Sequence, residues 1–307
     1  MDLDLSEDRI RAIVAHFAHL RANYGEAFAA PDLVEPTGEY FPDEFALEPD
    51  SIEQLVHRMM DYVPLSSDLD VGVAFIQPDG EVSGGGCGSG ACSTGGLKEI
   101  ARGGAIETDD GYAVALHVQD VGDPTILTTA IARGLGRVVL FEADEDVDPR
   151  DEGALSELTA IAAGLGLILL NGSCVYKKGC GGMKRHQATF LSVEEVAMGL
   201  ALFVRSNETK PSGVRRHLEV TQKEAFDAAL AWVEGQPALV RALREHPETL
   251  EDGVFEVESK KGLLSRLFTR PSTDERPMQT KRRERTEEEL RRLAEAKALV
   301  DDALSES

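Results

Sequence analysis

Three groups of residues in this 307-residue chain have types and spacings suited to chemistry. Four cysteines form two spaced pairs among glycines: Cys87 and Cys92 in SGGGCGSGACSTGG, and Cys174 and Cys180 in NGSCVYKKGCGG. Glycine lets such loops curl so that thiolates converge, and zinc is the ion a four-thiolate set would hold. His186 lies close enough along the chain to Cys180 to substitute for one thiolate. The spacings are wider than the two-residue zinc knuckle, so free thiols and a disulfide stand beside the metal site as open alternatives. A catalytic cysteine would need a base, and nothing local seats either candidate, His117 or His186, beside a thiol. The second group is Arg133 and Arg137, flanked by Gly134 and Gly136. At i and i+4 the two arginines share a helix face. The third is KKGLLSRLFTRP, where Leu263, Leu264, Leu267 and Phe268 are bracketed by Lys260, Lys261, Arg266 and Arg270. Such a basic amphipathic turn suits a protein groove or an anionic surface. Its alternative is to fold back onto the acidic body of its own chain.

These groups need elements to place them. Apolar residues at Ile10, Ile13, Val14, Phe17 and Leu20 predict a first helix over 6–23. His16 and His19 on it, at i and i+3, are expected to form a surface or half-buried pair rather than a metal site. Ser51 with Gln54 reads as a capping box opening a helix to Tyr62. DVGVAFIQ and GYAVALHVQDV read as strands, with PDGE as a turn after the first. Asp123-Pro124 has the signature of a helix start, cap then proline, and the helix carries both arginines. Further helices are predicted over 154–170, after the capping box Ser192 and Glu195, over TQKEAFDAALAWV and over PALVRALREH. The expected fold class is a helix-rich α+β domain spanning 1–258. A basic linker follows over 259–285, then a charged helix or tail over 286–307.

DPTILTTAIARGLGRVVLFEA, Asp123 to Ala143, resembles the metal-binding helix of a bacterial family of zincin-like proteins. In that family a His-Glu-x-x-His motif binds zinc, and the Glu serves as general base. EGALSELTAIAAGLGLILLNGS resembles the family's second helix, which implies Glu157 as the acidic residue of the metal site. The helices after Ser192 are similar too, and the likeness runs from about Asp123 to Gly235. The functional positions of the motif read Arg133, Gly134 and Arg137. Arginine has no lone pair to offer a metal, and glycine has no carboxylate to activate water. The resemblance therefore implies a degenerate former metal site and a scaffold without metallohydrolase activity. Two placements of the arginines follow. Either they fill the vacated cation site and pair with Glu157, or they snorkel into solvent.

Charge narrows the partners. The chain carries 32 basic and 55 acidic residues, a net of −23 at neutral pH, which disfavours nucleic acid or anionic lipid as partners of the main domain. The excess is uneven: residues 1–259 hold 20 basic and 45 acidic side chains, whereas 260–285 hold nine and three. KKGCGGMKRH is a second basic stretch, able to cradle an anion or an acidic segment, or to balance neighbouring carboxylates. The N-terminus lacks a basic, apolar leader, so a cytoplasmic protein with a protein partner is expected. Membrane contact through the tail is the less favoured alternative. A metal-binding or redox role for the cysteines is the second functional expectation.

Overall fold

A computed structural model describes residues 3–28, 31–77, 82–85, 104–109, 111–179, 182–257 and 280–282. The fold is helix-rich α+β. Helix α1 (Glu7–Tyr24) starts at Ser6, whose side chain caps the Arg9 N–H, and α2 (Pro49–Met60) follows. Strands β1 (Val71–Ile76), β2 (Val82–Gly85), β3 (Ala105–Glu107) and β4 (Tyr112–His117) form one sheet in the order β2-β1-β4-β3. The central pair β1 and β4 is parallel, with Val71 opposite Tyr112 and Ile76 opposite His117, and both outer strands run antiparallel.

Helix α3 (Pro124–Glu142) begins where the sequence predicts, with Asp123 accepting from the Thr125 and Ile126 N–H groups. It lies between the sheet and a second helical layer made by α4 (Glu152–Ala160) and α5 (Gly166–Gly172). Two glycines set how closely these layers approach. A Cβ on Gly134 would come within 2.6 Å of the Gly104 carbonyl oxygen and 2.7 Å of Val114 on β4. A Cβ on Gly136, on the opposite face, would overlap the Ser156 carbonyl oxygen of α4. Small residues at these positions let backbone meet backbone, and larger ones would overpack the contact. Beyond α4 and α5 stand α1, α6 (Val193–Ser206), α8 (Val220–Glu234) and α9 (Pro237–Glu245), with the short α7 (Pro211–Arg215) between α6 and α8. The helices over 124–142 and 152–172 are long and apolar enough to cross a membrane, but 78% and 94% of their apolar windows are buried inside this protein.

Four departures from the sequence reading have physical causes. Helix α2 opens at Pro49, ahead of the Ser51 box, and Ser51 caps nothing. Proline preset for the first helical turn outranks a cap two residues later. The predicted 154–170 helix is interrupted by a π-helical turn, Ile161–Leu165, in which Gly164 adopts φ +106°. There the Gly164 carbonyl accepts from the Val34 N–H at 3.1 Å, so a loop is tied into the helix. The KKGCGGMKRH stretch is a two-stranded hairpin, β6 (Val175–Gly179) and β7 (Gly182–His186). Lastly, Thr280–Arg282, inside the predicted linker, is a strand, β8, paired antiparallel to β5 (Glu145–Val147).

Candidate functional site

The arginines of α3 turn inward. Thr129, Arg133, Gly136 and Arg137 form one stripe that faces α4 and α5, and both guanidinium-bearing residues are buried. The solvent-facing placement is therefore incorrect: the stripe is the helix's packing face, and each charge meets a carboxylate across it. Arg133 Nη1 lies 3.3 Å from Glu157 Oε1 and also donates to the Ala188 carbonyl at 2.9 Å. Arg137 Nε lies 2.7 Å from Glu152 Oε1. The earlier arginine pairs with the later glutamate, so α3 and α4 run antiparallel. Aromatic rings complete both sites: the Arg133 guanidinium sits 5.2 Å from the Phe190 ring centre and that of Arg137 3.9 Å from Phe141.

Glu157 is fully buried and its carboxylate is saturated. It accepts the Phe190 N–H at 2.9 and 3.0 Å and the Leu191 N–H at 2.9 Å, besides Arg133. The pair thus clasps residues 188–191, the approach to the capping box of Ser192 and Glu195 that opens α6 as predicted. Burial pushes the Glu157 carboxyl up to about 7, against the pull of Arg133 and the two backbone N–H groups. Burial likewise lowers the Arg137 pKa, and Glu152 opposes it. The Arg133 Nε and the Arg137 Nε and Nη1 have no hydrogen-bond partner among the described residues. Arg137 Nε nonetheless faces Glu152 across the helix interface as an ion pair.

This donor set does not fit zinc. The two arginines have no lone pair, Glu157 has no free direction for a metal, and the Gly134 position is pressed against the Gly104 carbonyl. Among the described residues no group of three or more His, Cys, Asp or Glu side chains is placed to hold a metal ion.

Of the other predicted positions, only some lie among the described residues. Cys87, Cys92 and Cys180 lie outside the described residues, as do Lys260, Lys261, Leu263, Leu264, Leu267 and Phe268 and the charged helix or tail expected over 286–307. Cys174 is a buried free thiol in the core, its carbonyl accepting from Gln222 at 2.8 Å. His186 stands exposed at the end of β7. In the hairpin, Lys177 is 3.3 Å from Asp123, which is the charge-balancing arrangement, while Lys184 and Arg185 are exposed.

One polar cluster escaped the sequence reading. His16 is not at the surface but fully buried, with Nε2 2.9 Å from Thr159 on α4 and burial lowering its pKa to about 3. His19 is half-buried: Nε2 is 2.7 Å from Glu145 on β5 and Nδ1 is 3.2 Å from Glu251. Burial opposes its protonation, but the two carboxylates win and raise its pKa. Tyr24 also donates to Glu145. The i, i+3 spacing was a visible signal; the carboxylates, from distant segments, were not.

Comparison with protein-family models, with curated proteins and with solved structures finds no match.

Proposed function

We propose that this chain is a non-enzymatic, partner-binding scaffold built on a zincin-like helix pair whose metal site has been replaced by ion pairs. One observation carries the reading: Arg133 and Arg137 are buried between α3 and α4, each against a carboxylate, where the resemblance would have metal ligands. A guanidinium in that place supplies the positive charge of a metal without a vacant coordination position, so it holds the helices together and activates no water. Gly134 adds to this, because a general-base side chain there would strike the Gly104 carbonyl. With hydrolysis given up, what the molecule offers a partner is its acidic surface.

Zinc titration by calorimetry on the reduced full chain and on a variant with all four cysteines changed to serine tests the proposal. The expected result is no stoichiometric zinc in the serine variant. Zinc retained there, and lost on Glu157→Gln, would place a metal on the helix pair and overturn the reading. Zinc bound by the natural chain alone would assign it to the cysteines and support the metal-binding alternative instead.

A further inference from the structure

Strand β5 stands apart from the four-stranded sheet, and its only ladder partner among the described residues is β8. It is held from behind. Glu145 points inward to His19 and Tyr24, Val147 is buried, and Asp146 between them is exposed. The segment that receives β8 is therefore anchored to α1 by contacts that do not involve the ladder. By contrast, β8 contributes three residues, in the register Glu145 to Arg282, Asp146 to Lys281 and Val147 to Thr280. A two-stranded ladder this short is marginal by itself. Residues 258–279 join β8 covalently to the body, so its docking is an intramolecular event. The register also sets Lys281 opposite the exposed Asp146, a basic position against an acidic one on a body with a large acidic excess.

We propose that the β5 edge is a docking strand for an extended basic peptide segment, and that the chain's own Thr280–Arg282 occupies it as a displaceable latch. Main-chain hydrogen bonds supply affinity and the Asp146 position supplies the preference for a basic residue. This deepens the partner-binding reading by naming a surface and the chemistry of its ligand. It rests on that reading but not on the zincin-like ancestry, so zinc titration and the experiment below can fail separately.

The probe is a fluorescein-labelled synthetic peptide with the sequence of residues 276–285, RPMQTKRRER, followed by anisotropy. The titrated proteins are the full chain and a full-chain Lys281→Pro/Arg282→Glu variant that cannot hold the latch. The variant is expected to bind the peptide at least tenfold more tightly than the natural chain. Asp146→Lys in the variant background should weaken binding at least fivefold, and a scrambled peptide of equal composition should bind at least fivefold more weakly. Absence of saturable binding to the variant below 1 mM overturns the docking strand. Equal affinity for variant and natural chain overturns the latch. Indifference to Asp146→Lys or to scrambling reduces the interaction to general attraction by an acidic body, and overturns the site.

Discussion

Two regions bury a carboxylate against a cation and behave differently. At the α3–α4 interface, Glu157 meets Arg133, a permanent charge, and two backbone N–H groups. At the junction of α1 with β5, Glu145 meets His19, a charge that comes and goes with pH, while His16 nearby is kept neutral by burial. In the first arrangement the cation is permanent and the carboxyl titrates; in the second the cation itself titrates, so the seat of β5 loses its charge pair as pH rises. Their buried groups also pull stability in opposite directions. Glu157, raised to about 7 from 4.5, favours its protonated form in the fold, so its contribution falls as pH rises from 4.5 to 7. His16, lowered to about 3 from 6.5, stays neutral in the fold, so its contribution falls as pH drops from 6.5 towards 3. Between pH 4.5 and 6.5 the two slopes, each about 1.4 kcal/mol per pH unit, offset one another.

The largest effect should come from removing the permanent charge. Arg133→Ala leaves Glu157 buried without its cation and should cost about 3–5 kcal/mol in urea unfolding at pH 9, where the carboxyl has to ionise, and less at pH 6, where it can keep its proton. A loss below 1 kcal/mol would mean that the two N–H groups alone satisfy the carboxylate. Next in size are the opposed slopes. Across pH 4.5–6.5 the unfolding free energy of the natural chain should be nearly level, whereas His16→Gln should fall with rising pH and Glu157→Gln should climb, each by about 3 kcal/mol. Level profiles in both variants would remove the contrast between the regions. His19→Gln should cost about 1.5–3 kcal/mol at pH 6, where the ring is charged. The cost should shrink at high pH, because a raised pKa gives stability below 6.5 that is lost above the folded value. Equal penalties at pH 6 and 9 would make His19 a neutral hydrogen-bonding group. The smallest effect expected is that of Ser192→Ala, which removes the cap of α6 beside the clasp for about 1 kcal/mol, measured by thermal unfolding.

Local chemistry made part of this molecule legible from its sequence. Asp123-Pro124 and Ser192 with Glu195 mark helix starts because a cap and its partner lie within one turn, and both fall where expected. The i, i+4 spacing of the arginines identified a shared face, and the resemblance singled out Glu157. What spacing within one helix could not express was the register between two. Glu152, the partner of Arg137, depends on how α4 slides along α3, and that is set by Gly136 against Ser156. The link of His16 to Thr159 joins segments 143 residues apart. Strands β5 and β8 were unreadable for another reason: three residues cannot show an alternation, and each is a strand only because the other is present. The π-helical turn at Gly164 answers to a loop carbonyl more than a hundred residues earlier, Asp32, against which a Cβ at 164 would collide.

The burial of α3 and of the helical run 152–172 has a consequence for the chain's birth. Both stretches have the length and hydropathy of membrane spans, and each emerges from the ribosome before the later helices that complete its cover. Arg133 and Arg137, near the middle of α3, each add about 2.5–3.5 kcal/mol to the free energy of entering a bilayer on the translocon scale. The guanidinium groups that later find Glu157 and Glu152 thus also steer the nascent α3 away from lipid. Replacing both by apolar residues would leave the finished fold without its ion pairs and the newborn helix without its bar to insertion.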